Sequence, residues 1–222
     1  MNDSEPPATR RWEAPLRRRL AVALARAEAV PDQVWRRVVH GSGAFVLVYF
    51  VMPVDFFLIA PKEVMLLVAL AAAGVIEVFR LGFGTSVPTI RGYEARRPAS
   101  YMFYAVALVI AVLLFPEPIA AAVVLGTAIV DPLAGELRAR PAGRRLQVAL
   151  PFVVYAGMAG PALALVGGWP WATALTLGLV AAAVAIAVER WRFRWVDDDL
   201  TMTVVPALVL YGAGVVALGL PR

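Results

Sequence analysis

Seven apolar runs, each about 20 residues long, divide this chain, which is the length a helix needs to cross about 30 Å of hydrocarbon. They cover 40–60, 62–81, 99–115, 118–136, 147–166, 170–189 and 201–220. Inside a bilayer every backbone N–H and C=O must be satisfied within the protein, so such runs form helices. The expected fold is therefore all-α: a polytopic membrane protein of about seven transmembrane helices. The composition agrees, at 61% hydrophobic and 17% charged residues with a mean hydropathy of +0.74. Pro53 and Asp55 interrupt the first run, and Pro151 and Pro161 the fifth, so kinks or water-lined sections are expected there.

Arginine sets the orientation. Eight arginines precede the first run. Arg80, Arg91, Arg96 and Arg97 follow the second, Arg138, Arg140, Arg144 and Arg145 the fourth, and Arg190, Arg192 and Arg194 the sixth. Of 21 basic residues, only Lys62 and Arg222 fall on the other side. The positive-inside rule makes the arginine-rich face cytoplasmic, with the N-terminus there and the C-terminus opposite. Ahead of the first run, Pro15 suits a first helical turn, and Leu16, Leu20, Leu24 and Ala27 share a face that avoids Arg17, Arg18 and Arg26. Arg26 and Glu28 break the apolar stretch, so an interfacial helix is expected rather than a cleaved signal. Residues 1–36 thus read as a cytoplasmic tail with a short amphipathic helix, and 37–222 as the membrane domain.

Composition also excludes functions. There is no cysteine, hence no disulfide, thiolate metal site or catalytic thiol, and His40 is the only histidine. The net charge of +5 is explained by topology and anionic lipid, not by nucleic acid.

The polar residues at the run ends collect on the arginine-rich side. "RRVVH" brings Arg36, Arg37 and His40; "EVFR" brings Glu77 and Arg80; "IVDPLAGELRAR" brings Asp131; Glu189 ends the sixth run, and Asp197, Asp198 and Asp199 lead into the seventh. Taken singly, several have plain readings. The arginines hold orientation, Glu77 and Arg80 form an ion pair one turn apart, and the aspartates form a solvated turn and helix cap. Asp131 is different, because a carboxylate inside a span needs a partner, a cation or a water-filled cavity. Together, carboxylates and guanidinium groups at one membrane level suit a Mg²⁺ and phosphate site. Phosphoryl transfer needs positioning and charge neutralisation, which these residue types supply.

The order of these motifs resembles the CTP-dependent polyprenol and lipid kinases, a family that includes dolichol kinase, phytol kinase and the yeast-type diacylglycerol kinase. "RRVVH" is similar to the family's Arg-Lys-x-x-His, "EVFR" to its Glu-x-x-Arg, "DPLAG" to its Asp-x-x-Ala, and "VDDDLTM" to its Asp-Asp-Asn-Leu-Thr. The resemblance covers about residues 36–206. It implies transfer of the γ-phosphoryl of CTP, or another NTP, to a membrane lipid alcohol such as a polyprenol, phytol or diacylglycerol, with Mg²⁺ or another divalent cation. It further implies nucleotide binding by Arg36, Arg37, His40, Glu77, Arg80, Arg138 and Arg144. Metal ligation would fall to Asp131, Asp197 and Asp198, and catalysis to Asp131 and Asp198. The chain departs from the family where Asp199 replaces the usual asparagine and Thr203 the usual proline, and where no glutamate–glycine pair follows the Asp-x-x-Ala segment. A cytidylyltransferase making a CDP-lipid is the nearest alternative. A non-catalytic membrane subunit or transporter is the alternative of another class.

Overall fold

The computed structural model describes residues 32–53, 61–84, 94, 96–140, 143–191 and 196–218, the side chains of 32, 33, 35, 36, 217 and 218 excepted. The amphipathic helix expected within the first 36 residues falls almost wholly outside this set. Among the described residues there are helices and no strands. In order they are α1 (Asp32–Gly43), a 3-10 turn (Ala44–Leu47), α2 (Val48–Val51), α3 (Lys62–Phe83), α4 (Ser100–Leu114), α5 (Glu117–Ala139), α6 (Leu146–Gly167), α7 (Trp171–Arg190) and α8 (Asp198–Leu218).

Each apolar run of the sequence carries a helix. Five of them, α3, α5, α6, α7 and α8, are long and apolar enough to cross a membrane, as expected of a multi-pass integral membrane protein. The other two apolar stretches, Arg37–Val51 and Ser100–Leu114, are shorter. At 1.5 Å per residue, the 15 residues of α4 extend only about 22 Å. The first stretch tightens into the 3-10 turn and ends at Met52, whose backbone is extended (φ −70°, ψ 134°). Pro53 follows, and a proline disfavours the α conformation in the residue before it.

Proline and glycine mark the other helix ends. Pro61, Pro116 and Pro170 precede α3, α5 and α7 in extended conformation, where a missing N–H costs no helical bond. Gly84 and Gly168 close α3 and α6 at φ +61° and +64°, the left-handed region that glycine adopts without penalty.

The bundle is built around α5, of which 67% of the apolar window is buried, against 11% for α3. α3 packs chiefly on α4 and presents Val68, Val75, Ile76, Val78 and Phe79 outward, as a helix facing lipid does. The broadest contacts join α6 to α7 and α5 to α6. Lipid tails are as apolar as leucine, so close packing of small residues holds membrane helices together. At the α6–α7 crossing Gly178 meets Gly160 so closely that a Cβ on Gly178 would lie 2.6 Å from the Gly160 nitrogen. Ala174, Ala181, Ala182 and Ala185 are the other small residues buried on α7.

Candidate functional site

Three helices each bring one side chain to a common point. His40 comes from the last turn of α1, Asp131 from α5 and Asp199 from the first turn of α8. His40 Nε2 lies 3.2 Å from Asp131 Oδ2 and 3.2 Å from Asp199 Oδ1. The three residues are buried to 2%, 1% and 0% exposure.

Helical register explains why these side chains point inward. On α8 the buried positions from Asp199 to Leu210 are Asp199, Met202, Thr203, Pro206, Ala207 and Leu210, spaced three and four apart. Asp199 heads that stripe, whereas Asp197 and Asp198 are half-buried beside it. On α5 the same spacing links Thr127, Val130, Asp131 and Ala134. His40 is held from α4: the Tyr104 ring stacks on the imidazole at 4.6 Å between centroids, and its hydroxyl donates to the His40 carbonyl oxygen at 2.9 Å. Gly43 leaves room for this, since any Cβ there would collide with the Tyr104 ring.

A column of hydroxyl groups runs inward from the cluster. Thr203 Oγ1 lies 3.0 Å from the Asp199 carbonyl oxygen and 3.3 Å from Thr127 Oγ1. Thr127 and Tyr155 both donate to the Met202 carbonyl oxygen, at 3.4 and 3.5 Å. That carbonyl would ordinarily bond the N–H four residues on, but the residue there is Pro206, which has none. Hydroxyls of α5 and α6 thus take the place of the helical donor, as membrane helices require. Gly126 allows the approach, because a Cβ on it would press into the Tyr155 ring.

Arginine–carboxylate pairs tie the helices together above the cluster. Arg37 of α1 pairs with Glu136 of α5, which also pairs with Arg140. Arg138 of α5 pairs with Glu189 at the end of α7. Arg37 and Arg138 keep 44% and 41% of their side chains exposed, so they are accessible to a ligand arriving from water. Arg144 is exposed in the turn before α6, and Arg36 lies in α1 with its side chain outside the described residues.

Glu77 and Arg80 form a different assembly. Arg80 Nε and Nη2 bind the two Glu77 oxygens at 2.8 and 2.7 Å. Arg80 Nη2 also donates to the carbonyl oxygens of Glu94 and Arg97, at 3.2 and 2.7 Å. Glu77 in turn accepts from the Ala99 N–H at 2.7 Å and from the Tyr101 hydroxyl. Every one of these partners belongs to α3, to the chain entering α4 or to the first turn of α4. The pair is a buried clamp fastening the end of α3 to the start of α4, with Arg80 Nε and Nη2 and both Glu77 oxygens bound to protein.

Two groups of side chains have donor atoms within 4.8 Å of one another, close enough to share a cation: His40, Asp131 and Asp199, and the run Asp197, Asp198 and Asp199. Mg²⁺ takes oxygen ligands and tends to hold one or two carboxylates plus phosphate and water. The half-buried Asp197 and Asp198 fit it. Burial, reinforced by a hydrogen bond with Asp198 and the charges of Asp199 and Asp198, pushes the Asp197 carboxyl up to about 8. A cation beside it would reverse that effect.

The family resemblance implies metal ligation by Asp131, Asp197 and Asp198; the structure places His40 and Asp199 against Asp131, and Asp197 and Asp198 beside Asp199. Asp199 was legible from the apolar stripe of α8 run backwards by three and four residues. Tyr104 and Glu136 carry no such mark, because tyrosine at a span end and glutamate in a basic exit are commonplace. Comparison with family-wide sequence models, characterised proteins and solved structures finds no match to this chain.

Proposed function

We propose that this chain is a membrane-embedded phosphotransferase, moving the γ-phosphoryl of CTP or another NTP to a lipid alcohol at the cytoplasmic face. Seven spans, with α1–α2 and α4 as the two short ones, would put His40, Asp131, the 197–199 acids and the arginines paired around them at that face. The observation carrying the reading is the convergence of His40, Asp131 and Asp199 from distant parts of the chain, beneath a rim containing Arg37 and Arg138. Arginine suits phosphate because its planar fork meets two oxygens at once.

The roles follow from exposure. Asp197 and Asp198, half-buried at the mouth, would share Mg²⁺ with the nucleotide phosphates. The lipid hydroxyl oxygen would attack the γ-phosphorus, the bond to the β-phosphate bridging oxygen would break, and Asp198 would accept the hydroxyl proton. Asp131, at 1% exposure, lies too deep for that proton and serves the buried cluster instead. The test is purified protein in detergent with γ-labelled CTP, Mg²⁺ and a mixture of prenols, phytol and diacylglycerol. Label in the lipid fraction is expected. Pyrophosphate release with label absent from lipid would point to a cytidylyltransferase, and no turnover of any nucleotide would end the enzyme reading.

One observation favours an ion-coupled transporter: the cluster is closed from water, and buried hydroxyls continue inward from it. Cation-driven flux in proteoliposomes, abolished by Asp131→Asn, is the result expected on that second reading.

A further inference from the structure

The buried cluster is an assembly that the phosphate chemistry at the mouth does not use. Asp131 and Asp199 would place two negative charges beside one imidazole, with all three residues at 2% exposure or less. Buried charge must be compensated within the protein. A divalent cation on a neutral imidazole balances both carboxylates.

Geometry and valence agree. Metal–ligand bonds of about 2.0–2.2 Å put neighbouring donor atoms about 3.0–3.5 Å apart. His40 Nε2 is 3.2 Å from both Asp131 Oδ2 and Asp199 Oδ1. Asp199 Oδ2, fully buried, has no hydrogen-bond partner among the described residues, so this carboxylate has a lone pair to offer. The Tyr104 ring against the imidazole and its hydroxyl on the His40 carbonyl hold the ligand in place, as outer contacts do in metal sites.

We infer that His40, Asp131 and Asp199 form a resident divalent-cation centre of the nitrogen-accepting, first-row type, such as Mn²⁺ or Zn²⁺, distinct from a Mg²⁺ that arrives with phosphate at Asp197 and Asp198. One imidazole with two carboxylates suits these ions, whereas Mg²⁺ prefers oxygen and keeps its waters. Asp199 belongs to both groups, so its two oxygens can join the resident ion to the exchangeable one. The centre goes beyond the phosphotransferase reading and stands without it, since cation binding is read with no nucleotide present.

The experiment uses the full chain in detergent, stripped with chelator, titrated with Mn²⁺ and followed by the electron paramagnetic resonance signal of unbound Mn²⁺. One Mn²⁺ per chain is expected, surviving excess Mg²⁺. Asp199→Asn and His40→Gln should each weaken binding by about tenfold or more, while Asp198→Asn stays within a few-fold of the parent. Because the buried variants can fail to fold, thermal unfolding of the unmutated protein is read as well, and Mn²⁺ should raise Tm where equal Mg²⁺ does not. Absence of Mn²⁺ binding and of the Tm shift in the unmutated protein overturns the centre. So does binding that Asp198→Asn removes and Asp199→Asn keeps. Label transfer to lipid under Mg²⁺ alone by the stripped protein would leave the phosphotransferase reading intact while the centre fails.

Discussion

His40 and Asp199 are 159 residues apart in the chain and 3.2 Å apart in the fold. Their contact closes α1 onto α8, and both onto Asp131 of α5. No local segment contains the site, so it exists only when the bundle is assembled. Whatever fixes the His40 ring therefore matters as much as the acids, and Tyr104 is the residue that does so.

Replacing Tyr104 separates its two contributions. Tyr104→Phe keeps the stacked ring and loses the bond to the His40 carbonyl oxygen, a loss of about 1 kcal/mol. Tyr104→Ala loses the ring as well and opens a cavity in a residue that is 2% exposed, costing about 3–5 kcal/mol. In a label-transfer assay the Phe variant should retain most of the parent rate and the Ala variant little. Equal rates in both would show that the imidazole does not depend on its neighbour.

Glu77 and Arg80 were expected at the nucleotide, and their geometry predicts a different phenotype. Removing one partner of a buried bidentate pair strands the other charge, at a cost of about 3–5 kcal/mol. Arg80→Ala should therefore lower Tm strongly, and so should Glu77→Ala. The double variant should be less damaging than the sum of the two. In protein that remains folded, the KM for CTP should stay unchanged. A raised KM at normal Tm would return the pair to the nucleotide.

The five long apolar helices were legible because hydropathy is a local property, and a bilayer admits few alternatives for long apolar runs. Asp131 was legible for the same reason, as a charge inside such a run. The Glu77–Arg80 bond was legible from spacing alone. Its ties to Ala99, Tyr101 and Arg97 depend on how the chain returns from α3 to α4, which no local pattern encodes. The choice among Asp197, Asp198 and Asp199 turned on register. Three adjacent acids look equivalent in sequence, yet Asp197 precedes α8, 100° of helical rotation separates Asp198 from Asp199, and only Asp199 is fully buried. Similarity to a kinase motif emphasised the first two, while burial selects the third.

The α6–α7 seam makes a prediction independent of function. A methyl group on Gly178 would lie 2.6 and 2.8 Å from backbone atoms of Gly160, which cannot move aside as a side chain does. Gly178→Ala should push the helices apart and cost about 1–3 kcal/mol, read as a fall in Tm. Gly157→Ala on α6 meets nothing within 4 Å and should be neutral or stabilising by about 0.5–1 kcal/mol through helix propensity. Similar Tm values for the two variants would contradict close packing at this crossing.

Pro206 creates the last test. It leaves the Met202 carbonyl oxygen without a helical donor, and the hydroxyls of Thr127 and Tyr155 fill the gap. Either donor alone can satisfy the oxygen, so Thr127→Val or Tyr155→Phe should cost only about 1 kcal/mol each. Removing both orphans a buried carbonyl, which adds about 1–3 kcal/mol of desolvation. The double variant should thus lose more stability than the two single losses combined, a synergy visible in a double-mutant cycle. Adding Pro206→Ala to the double variant supplies the missing N–H and should recover much of that loss. The same Pro206→Ala change in the unmutated background gains little, because the oxygen there already has partners. Simple additivity, with no recovery by Pro206→Ala, would mean that the hydroxyls serve the column above them and not the proline gap.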